Sequence, residues 1–299
     1  MEYRVLGHSG LEVSAIGLGC MSLKATREHE GIDLIHRALD LGVNLIDTAD
    51  IYERGLNEQL VGRALAGHRD RVILATKVGN QWRGDGSGLD WNPSKAHIVA
   101  SVEESLKRLN TDRIDLYQLH GGTIDDPIDE TIAAFDTLKK QGKILHYGIS
   151  SIRPNVIRTW LERSAITSVM MQYSLADRRP EEDMLDLLLE KGIGVLVRGS
   201  LAQGLLVSKA GKDYLGHDAA AMDRAREALS SEGHAGRRPA QTAIRYVLHH
   251  PAVSSVVVGV RTIEQLEEAV TVNNSASIGK VEMEHLRSLL PPGSYEQHR

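Results

Sequence analysis

The chain has 299 residues, of which 41% are hydrophobic and 25% are charged, a composition typical of a globular protein. Its formal net charge is −5 and its basic residues are scattered, so the sequence indicates no nucleic-acid partner. The length allows two domains, but a barrel of about 250 residues also forms one domain, and we expect a single domain over residues 1–299.

The first ten residues, MEYRVLGHSG, carry an acid at position 2 and lack the apolar region of a secretory signal. Cys20 is the only cysteine, which excludes an internal disulfide and fits a reducing compartment. No segment approaches the ~20 apolar residues of a membrane span. We therefore expect a cytoplasmic protein with no membrane partner.

A hairpin is the first predicted element, formed by YRVL, a turn at residues 7–10 and LEVS. Beyond it, short apolar runs alternate with segments of helical period. In most of these runs the apolar residues follow one another instead of alternating with polar residues. This pattern is typical of parallel strands that are covered by helices on both faces. In chain order the runs are SAIGLG, VNLIDTA, RVILATKVG, IDLYQLH, ILHYGISS, SVMMQYS, GVLVRG and SSVVVGV.

Helices are predicted between the apolar runs. After Pro93, for example, Ile98, Val102, Leu106 and Leu109 fall on one helical stripe, and the segment from Asn92 to Ser94 supplies the start signal. The other predicted helices cover roughly residues 28–41, 58–65, 128–140, 155–162, 182–190, 239–249 and 262–269.

Eight strand–helix units predict a parallel sheet in the α/β class. With right-handed crossovers they close into a (β/α)8 TIM barrel with a short N-terminal β-hairpin, and a doubly wound open sheet is the alternative. Two long loops, 79–92 and 204–238, are expected to be functional or mobile.

Polar residues follow several of the predicted strands, where a barrel carries its active site. Asp47 ends the second strand and Tyr52 lies just beyond it, while Lys77 and His120 end the third and fourth strands. Taken alone, each has an ordinary structural explanation, and for Asp50 we favour capping of the following turn. Together at successive strand ends, the first four residues would converge on one place.

These four residue types make chemical sense as a group. A tyrosine has an ordinary pKa of ~10, too high for efficient acid–base catalysis near neutrality, and a nearby lysine lowers it. An aspartate would hold the lysine charged and oriented, and a histidine would hydrogen-bond a substrate oxygen. The predicted chemistry is proton donation to a carbonyl oxygen that gains negative charge.

The segments LIDTADIY, ATKVG, DLYQLH, GIS and LAQGLL resemble the aldo-keto reductases, in matching order over nearly the whole chain. The segment GVRTIEQLEEA and Arg198 resemble the bacterial oxidoreductase and general stress branch. The resemblance implies a (β/α)8 barrel that reduces aldehydes and ketones with NADPH, or less often NADH, without a Rossmann fingerprint.

The resemblance also implies roles for individual residues. Tyr52 corresponds to the general acid, with Asp47, Lys77 and His120 completing the catalytic tetrad. Substrate contacts are expected from Met21, Tyr52, Trp82 and His120, with Trp91 as a further candidate. Cofactor contacts are expected from Gly19, Cys20, Met21, Asp47, Ser150, Ser151, Gln172, Arg198, Gly199, Leu201, Gln203, Gly259, Arg261, Thr262, Gln265 and Glu268.

Among these, Arg261 and Gln265 would face a 2′-phosphate, which favours NADPH over NADH. The chain departs from the family pattern at Ser151 and Ala269, where asparagine is usual, and at Arg198, where many members have a stacking tyrosine. Gly121 and its neighbour Gly122 replace the aromatic residue that often follows the catalytic histidine.

The expected partner is a small-molecule carbonyl substrate, with no metal, and the resemblance sets neither a physiological substrate nor an oligomeric state. Two alternatives remain open at the level of sequence. One is a non-catalytic NADPH-binding regulatory module similar to channel beta subunits. The other is a lyase or aldolase with Lys77 as Schiff-base nucleophile.

Overall fold

A computed structural model describes residues 1–231 and 236–299 and contains a closed barrel of eight parallel strands. The predicted (β/α)8 barrel is thereby confirmed, and the open sheet is excluded because Val256 on the last strand pairs with Ile16 on the first. The barrel strands are β3 (Ile16–Gly19), β4 (Leu45–Asp47), β5 (Ile73–Val78), β8 (Ile114–Leu119), β9 (Ile144–Ser150), β10 (Ser168–Gln172), β11 (Gly194–Arg198) and β12 (Val253–Val258).

The predicted N-terminal hairpin is also confirmed and fills the lower end of the barrel. Its strands β1 (Tyr3–Val5) and β2 (Glu12–Ser14) pair in antiparallel fashion. Leu6 packs with the side chains inside the barrel. The turn approaches the barrel so closely that a Cβ on Gly7, whose φ is +54°, would lie 2.5 Å from a backbone oxygen. Only glycine fits there without strain.

Helices cover the outside of the barrel and follow the predicted order. Helix α3 begins after Ser94, whose Oγ accepts a hydrogen bond from the backbone of His97, as the start signal predicted. The helices are α1 (Glu28–Asp40), α2 (Leu56–Ala64), α3 (Lys95–Leu109), α4 (Ile128–Lys140), α5 (Pro154–Arg163), α6 (Met184–Glu190), α7 (Ala219–Ser231), α8 (Pro239–Leu248), α9 (Ile263–Val270) and α10 (Lys280–Ser288).

The sequence did not predict helices α7 and α10. Helix α7 lies in the long loop 204–238, of which residues 232–235 fall outside the described residues. Helix α10 has nine residues and buries only Met283 and Leu286, which is too few for a helical period to be visible.

The other long loop, 79–92, is a second hairpin made of β6 (Asn80–Trp82) and β7 (Leu89–Trp91). Its strands, NQW and LDW, bury no residue, so no apolar run marks them and the sequence suggested only a loop. The indole N–H of Trp82 donates to the backbone oxygen of Ile51 at 3.2 Å, and the Arg54 guanidinium carbon lies 4.8 Å from the Trp82 ring centre. The hairpin therefore lies against the loop that carries Tyr52.

The apolar core has two parts, a small cluster inside the barrel and a larger one between the sheet and the helices. Leu45, Leu116 and Leu196 belong to the inner cluster and are fully buried. Within the described ranges, no helix is both long enough and apolar enough to cross a membrane.

Candidate active site

A buried ion pair lies at the upper end of β4 and β5. Nζ of Lys77 donates to Oδ2 of Asp47 at 2.6 Å and to the backbone oxygen of Thr48 at 2.7 Å. The Lys77 side chain is 1% exposed. A buried charge is tolerated only when it is paired and hydrogen-bonded, and each member of this pair offsets the cost of burying the other.

The pKa values of the two groups show why the pair is needed. Burial raises the pKa of Asp47, and the charge and hydrogen bond of Lys77 act against that rise. Burial acts to lower the pKa of Lys77, but Asp47 and Tyr52 outweigh it, so the pKa of Lys77 is raised. Lys77 therefore stays protonated at neutral pH, which is unsuitable for the Schiff-base chemistry considered above.

Tyr52 lies beyond β4, with Nζ of Lys77 5.3 Å from the centre of its ring. Burial is the largest influence and raises the pKa of Tyr52, while the charge of Lys77 acts to lower it. The sequence analysis correctly predicted that Lys77 acts to lower the pKa of Tyr52. It was wrong about the net shift, which is upward, because burial cannot be read from the sequence. Tyr52 remains protonated well above neutral pH.

His120 follows β8 and faces Tyr52, with ring centres 6.0 Å apart and ring planes at 81°. Burial, Lys77 and Arg198 together lower the pKa of His120 to about 3. The imidazole is therefore neutral at any pH where the protein would work. A neutral imidazole offers one N–H donor and holds no additional acidic proton.

The loop after Tyr52 has an unusual backbone. Glu53, Arg54 and Gly55 have φ values of 48°, 55° and 87°, so three consecutive residues are left-handed. Oε2 of Glu53 accepts a hydrogen bond from the backbone of Ala25 at 2.7 Å, and Arg54 lies over Trp82. Such strain persists only where surrounding contacts enforce it, and it is common at functional sites.

Gln118 is a site residue that the sequence reasoning missed. It is fully buried on β8, opposite Lys77 in the strand register, and its Nε2 lies 3.4 Å from Oδ1 of Asp47. The hydrogen bond acts to lower the pKa of Asp47, as does the ion pair. A signal was present, because Gln118 precedes His120 by two positions and strand residues two apart share a face.

The residues predicted for the nicotinamide end meet at the upper ends of three adjacent strands. Ser150 ends β9, Gln172 ends β10 and Arg198 ends β11. Oε1 of Gln172 accepts a hydrogen bond from Nη1 of Arg198 at 3.0 Å. Oγ of Ser151 accepts a hydrogen bond from the backbone of Arg153 at 3.2 Å.

Two predicted cofactor segments follow β11 and β3, the strands on either side of β12 in the barrel. After β11, Gly199 and Gln203 have φ values of 74° and 60°, and Leu201 lies between them. After β3, Met21 is 63% exposed, whereas Cys20 is fully buried in the apolar core. The cofactor contacts expected from Cys20 and Met21 stay predictions.

The residues predicted for the adenosine end lie where helix α9 begins. The backbone of Arg261 donates to Oε1 of Gln265 at 2.9 Å, and Oγ1 of Thr262 accepts from the backbone of Gln265 at 3.3 Å. A Cβ on Gly259 would meet no atom within 4 Å. Oε2 of Glu268 lies 3.7 Å from an Arg238 nitrogen.

Comparison with known proteins agrees with this geometry. Residues 15–291 match the model of the aldo/keto reductase family. The chain belongs to that family. Its members are oxidoreductases that act on the carbonyl groups of small molecules and generally use a nicotinamide cofactor.

Two Bacillus subtilis proteins resemble this aldo-keto reductase in sequence. The uncharacterized oxidoreductase YqkF is 46% identical over the full length of both chains. The aldo-keto reductase YhdN is 35% identical over 89% of this chain and 87% of its own.

Solved structures show the same relationship. The holo form of aldo-keto reductase AKR11C1 from Bacillus halodurans has a TM-score of 0.95 and 48% identity, over 100% of this chain and 99% of that one. The apo form of that protein, with the same coverage and 46% identity, has a TM-score of 0.87. The glycerol dehydrogenase AKR11B4 from Gluconobacter oxydans has a TM-score of 0.85 and 28% identity, over 98% and 97% of the two chains.

Trp91 supplies aromatic surface beside His120 in this aldo-keto reductase. Its ring packs so closely on Gly79 and Gly121 that added Cβ atoms would lie 2.8 and 3.2 Å from it. Its indole N–H donates to Asp126 at 2.8 Å. The glycines after His120 therefore make room for an aromatic ring that comes from the second hairpin.

Behind Tyr52, Asp50 belongs to a buried polar cluster. Glu58 accepts hydrogen bonds from the Thr76 hydroxyl and from Nε of Arg108, each at 2.7 Å. Burial, followed by the charge of Glu58, raises the pKa of Asp50 to about 8, although Arg108 and a hydrogen bond from the Ile51 backbone act to lower it. The carboxyl group therefore carries a proton in the folded protein at neutral pH.

Asp50→Asn is expected to stabilise the protein more at pH 8 than at pH 5. Folded Asp50 keeps its proton up to about pH 8, whereas the unfolded side chain ionises above its ordinary value, so wild-type stability falls as pH rises through that window. The amide has no such penalty, and we expect its advantage to grow by about 1–3 kcal/mol between the two pH values.

Urea unfolding of both proteins at pH 5 and pH 8 measures this difference. An advantage of the same size at both pH values would contradict a protonated Asp50 in the folded protein.

Proposed function

We propose that this aldo-keto reductase reduces aldehydes and ketones to alcohols with NADPH, and that Tyr52 donates the proton. The observation that carries the proposal is the position of the Tyr52 ring, which faces His120 and lies 5.3 Å from Nζ of Lys77. Tyr52 keeps its proton at neutral pH, while His120 with a pKa of about 3 has no acidic proton to give. Groups whose pKa values are driven apart by their surroundings usually have separate acid and positioning roles.

The residues at the mouth of the barrel suit a dinucleotide. Gln172 and Arg198 offer hydrogen-bonding groups at one end, and the exposed Arg261 side chain is available to an anion at the other. The N-terminus of helix α9 adds backbone N–H groups, which favour phosphate. The higher TM-score against the holo form of AKR11C1 than against its apo form supports an arrangement ready for cofactor.

When bound, NADPH supplies the hydride for the carbonyl carbon. The residues of the chain then have complementary tasks. His120 donates a hydrogen bond to the carbonyl oxygen, and Tyr52 transfers its proton to that oxygen as negative charge develops. The charge of Lys77 stabilises the phenolate left on Tyr52, and Asp47 holds Lys77 in place.

Consumption of NADPH with a panel of aldehydes, such as methylglyoxal and 4-nitrobenzaldehyde, tests the proposal. We expect turnover with at least the activated aldehydes. Tight NADPH binding without turnover across a broad panel would favour the regulatory module, and no binding of either NADPH or NADH would refute the assigned cofactor.

Arg261→Gln is expected to weaken NADPH binding about 10–100-fold and to leave NADH binding nearly unchanged. The reason is that charge-assisted hydrogen bonds to the 2′-phosphate are lost, and NADH lacks that phosphate. Calorimetric titration with each cofactor measures the two dissociation constants.

Arg71→Gln is the matched control, since Arg71 is exposed just before β5 at the opposite end of the barrel. Equal weakening of NADPH and NADH by Arg261→Gln would show that Arg261 does not recognise the 2′-phosphate.

A further inference from the structure

We propose that Asp177 is a positioning residue that holds the side-chain amide of Gln172 in one orientation, with Oε1 turned to Arg198 and the nicotinamide end of the cofactor site. The inference rests on the proposed function, in which Gln172 contacts the nicotinamide carboxamide. Asp177 acts only through Gln172 and was not among the residues predicted from the sequence.

The amide of Gln172 is held on both sides. Its Nε2 donates to Oδ2 of Asp177 at 2.9 Å, and its Oε1 accepts from Nη1 of Arg198 at 3.0 Å. Gln172 and Arg198 are paired residues at the ends of β10 and β11. Burial, then Lys77 and then the charge of Arg198 act to lower the pKa of His120.

Asp177 permits only one orientation of that amide. The residue is 2% exposed, and its two oxygens accept from Nε and Nη2 of Arg179 at 2.7 and 2.8 Å. A guanidinium has donors only, so both oxygens of Asp177 act as acceptors in this two-pronged contact. The group of Gln172 that faces Asp177 must therefore be the N–H2, because the reverse orientation would place oxygen against oxygen in a buried site.

Other contacts hold the orienting group in place. The Tyr214 hydroxyl lies 3.2 Å from Nε2 of Gln172 and offers it a second acceptor. The Arg179 guanidinium carbon lies 5.2 Å from the centre of the Tyr295 ring. The loop after β11 and the C-terminal segment thus both support the orientation, which leaves Oε1 of Gln172 available to accept from a primary amide such as the nicotinamide carboxamide.

Calorimetric titration of Asp177→Asn with two ligands tests the proposal. NADPH reaches both ends of the site, whereas adenosine 2′,5′-bisphosphate has the phosphate end and lacks nicotinamide. In the variant, one of the two side-chain oxygens becomes an N–H2, which opposes a donor of Arg179 in either orientation. Nε2 of Gln172 therefore loses its fixed acceptor, and its amide is no longer held in one orientation. We expect the Kd of NADPH to rise about tenfold and that of the bisphosphate to stay unchanged.

A second substitution distinguishes an effect that acts through Gln172 from a general disturbance of the structure. On a Gln172→Met background, which has no amide to orient, Asp177→Asn is expected to have no further effect on the Kd of NADPH. Asp115→Asn is the matched control, because Asp115 is a buried carboxylate paired with Arg69 at 2.7 Å at the other end of the barrel. That control should leave both ligands unaffected.

Equal weakening of both ligands by Asp177→Asn, an unchanged Kd for NADPH, or additive effects with Gln172→Met would each overturn the proposal. If Asp177→Asn does not fold, Tyr214→Phe replaces it, with an expected two- to threefold rise for NADPH alone that disappears on the Gln172→Met background. If the wild-type protein binds NADPH no more tightly than it binds the bisphosphate, that result would refute the proposed function instead.

Discussion

Tyr52→Phe is expected to lower kcat/KM for aldehyde reduction by about 10²–10⁴-fold, the usual contribution of a positioned general acid. The substitution removes the hydroxyl group of the ring that faces His120, and a pKa of about 3 leaves His120 without an acidic proton to take over the task. Steady-state rates of NADPH consumption, measured for both proteins with the same aldehyde, give the ratio.

The Kd of NADPH is the control for Tyr52→Phe and should stay within about twofold of wild type, because the phenol is assigned to the substrate oxygen. In wild type, the raised pKa of Tyr52 also predicts no loss of the reduction rate through tyrosine ionisation between pH 6 and pH 8. Full turnover by Tyr52→Phe would assign the proton to another group.

Lys77→Met is expected to destabilise the protein by about 3–5 kcal/mol, because it leaves the buried carboxylate of Asp47 without its cation. Asp47 then gains a proton in the folded state while the unfolded side chain is ionised. The loss of stability should therefore be larger at pH 8 than at pH 5. Urea unfolding at the two pH values measures both effects, and activity should fall as well.

The double variant Asp47→Asn with Lys77→Met is the matched comparison. It has no buried charge in this place, so we expect it to be more stable than Lys77→Met alone and to lose the added dependence on pH. Equal stability of the single and double variants would mean that the attraction between Asp47 and Lys77 does not offset the free-energy cost of burying Asp47.

The barrel could be predicted from the sequence because continuous apolar runs and helical stripes alternate eight times, and this pattern depends on local residues alone. The grouping of Asp47, Lys77 and His120 with Tyr52 could be predicted because the first three stand at strand ends, and parallel strands bring their ends together. The hairpin that carries Trp82 and Trp91 was missed, because its strands bury no residue and no apolar run marks them.

The remaining features depend on contacts between distant segments. Asp177 follows Gln172 by only five residues, but its effect requires the positions of Arg179 and Arg198. The pKa of Tyr52 depends on burial, which is set by the packed loops around it. In the same way, the side chain of Cys20 lies in the core although its neighbour Met21 is exposed, a difference that the run of small residues around them does not indicate.

Transfer of deuterium from NADPH labelled at the C4 hydride position tests the central claim most directly. Wild-type protein, labelled NADPH and an aldehyde are incubated, and the alcohol is examined by mass spectrometry. We expect one deuterium on the carbinol carbon, and far less labelled alcohol with Tyr52→Phe. Tight binding of NADPH with no labelled alcohol from any aldehyde or ketone tested would contradict the account.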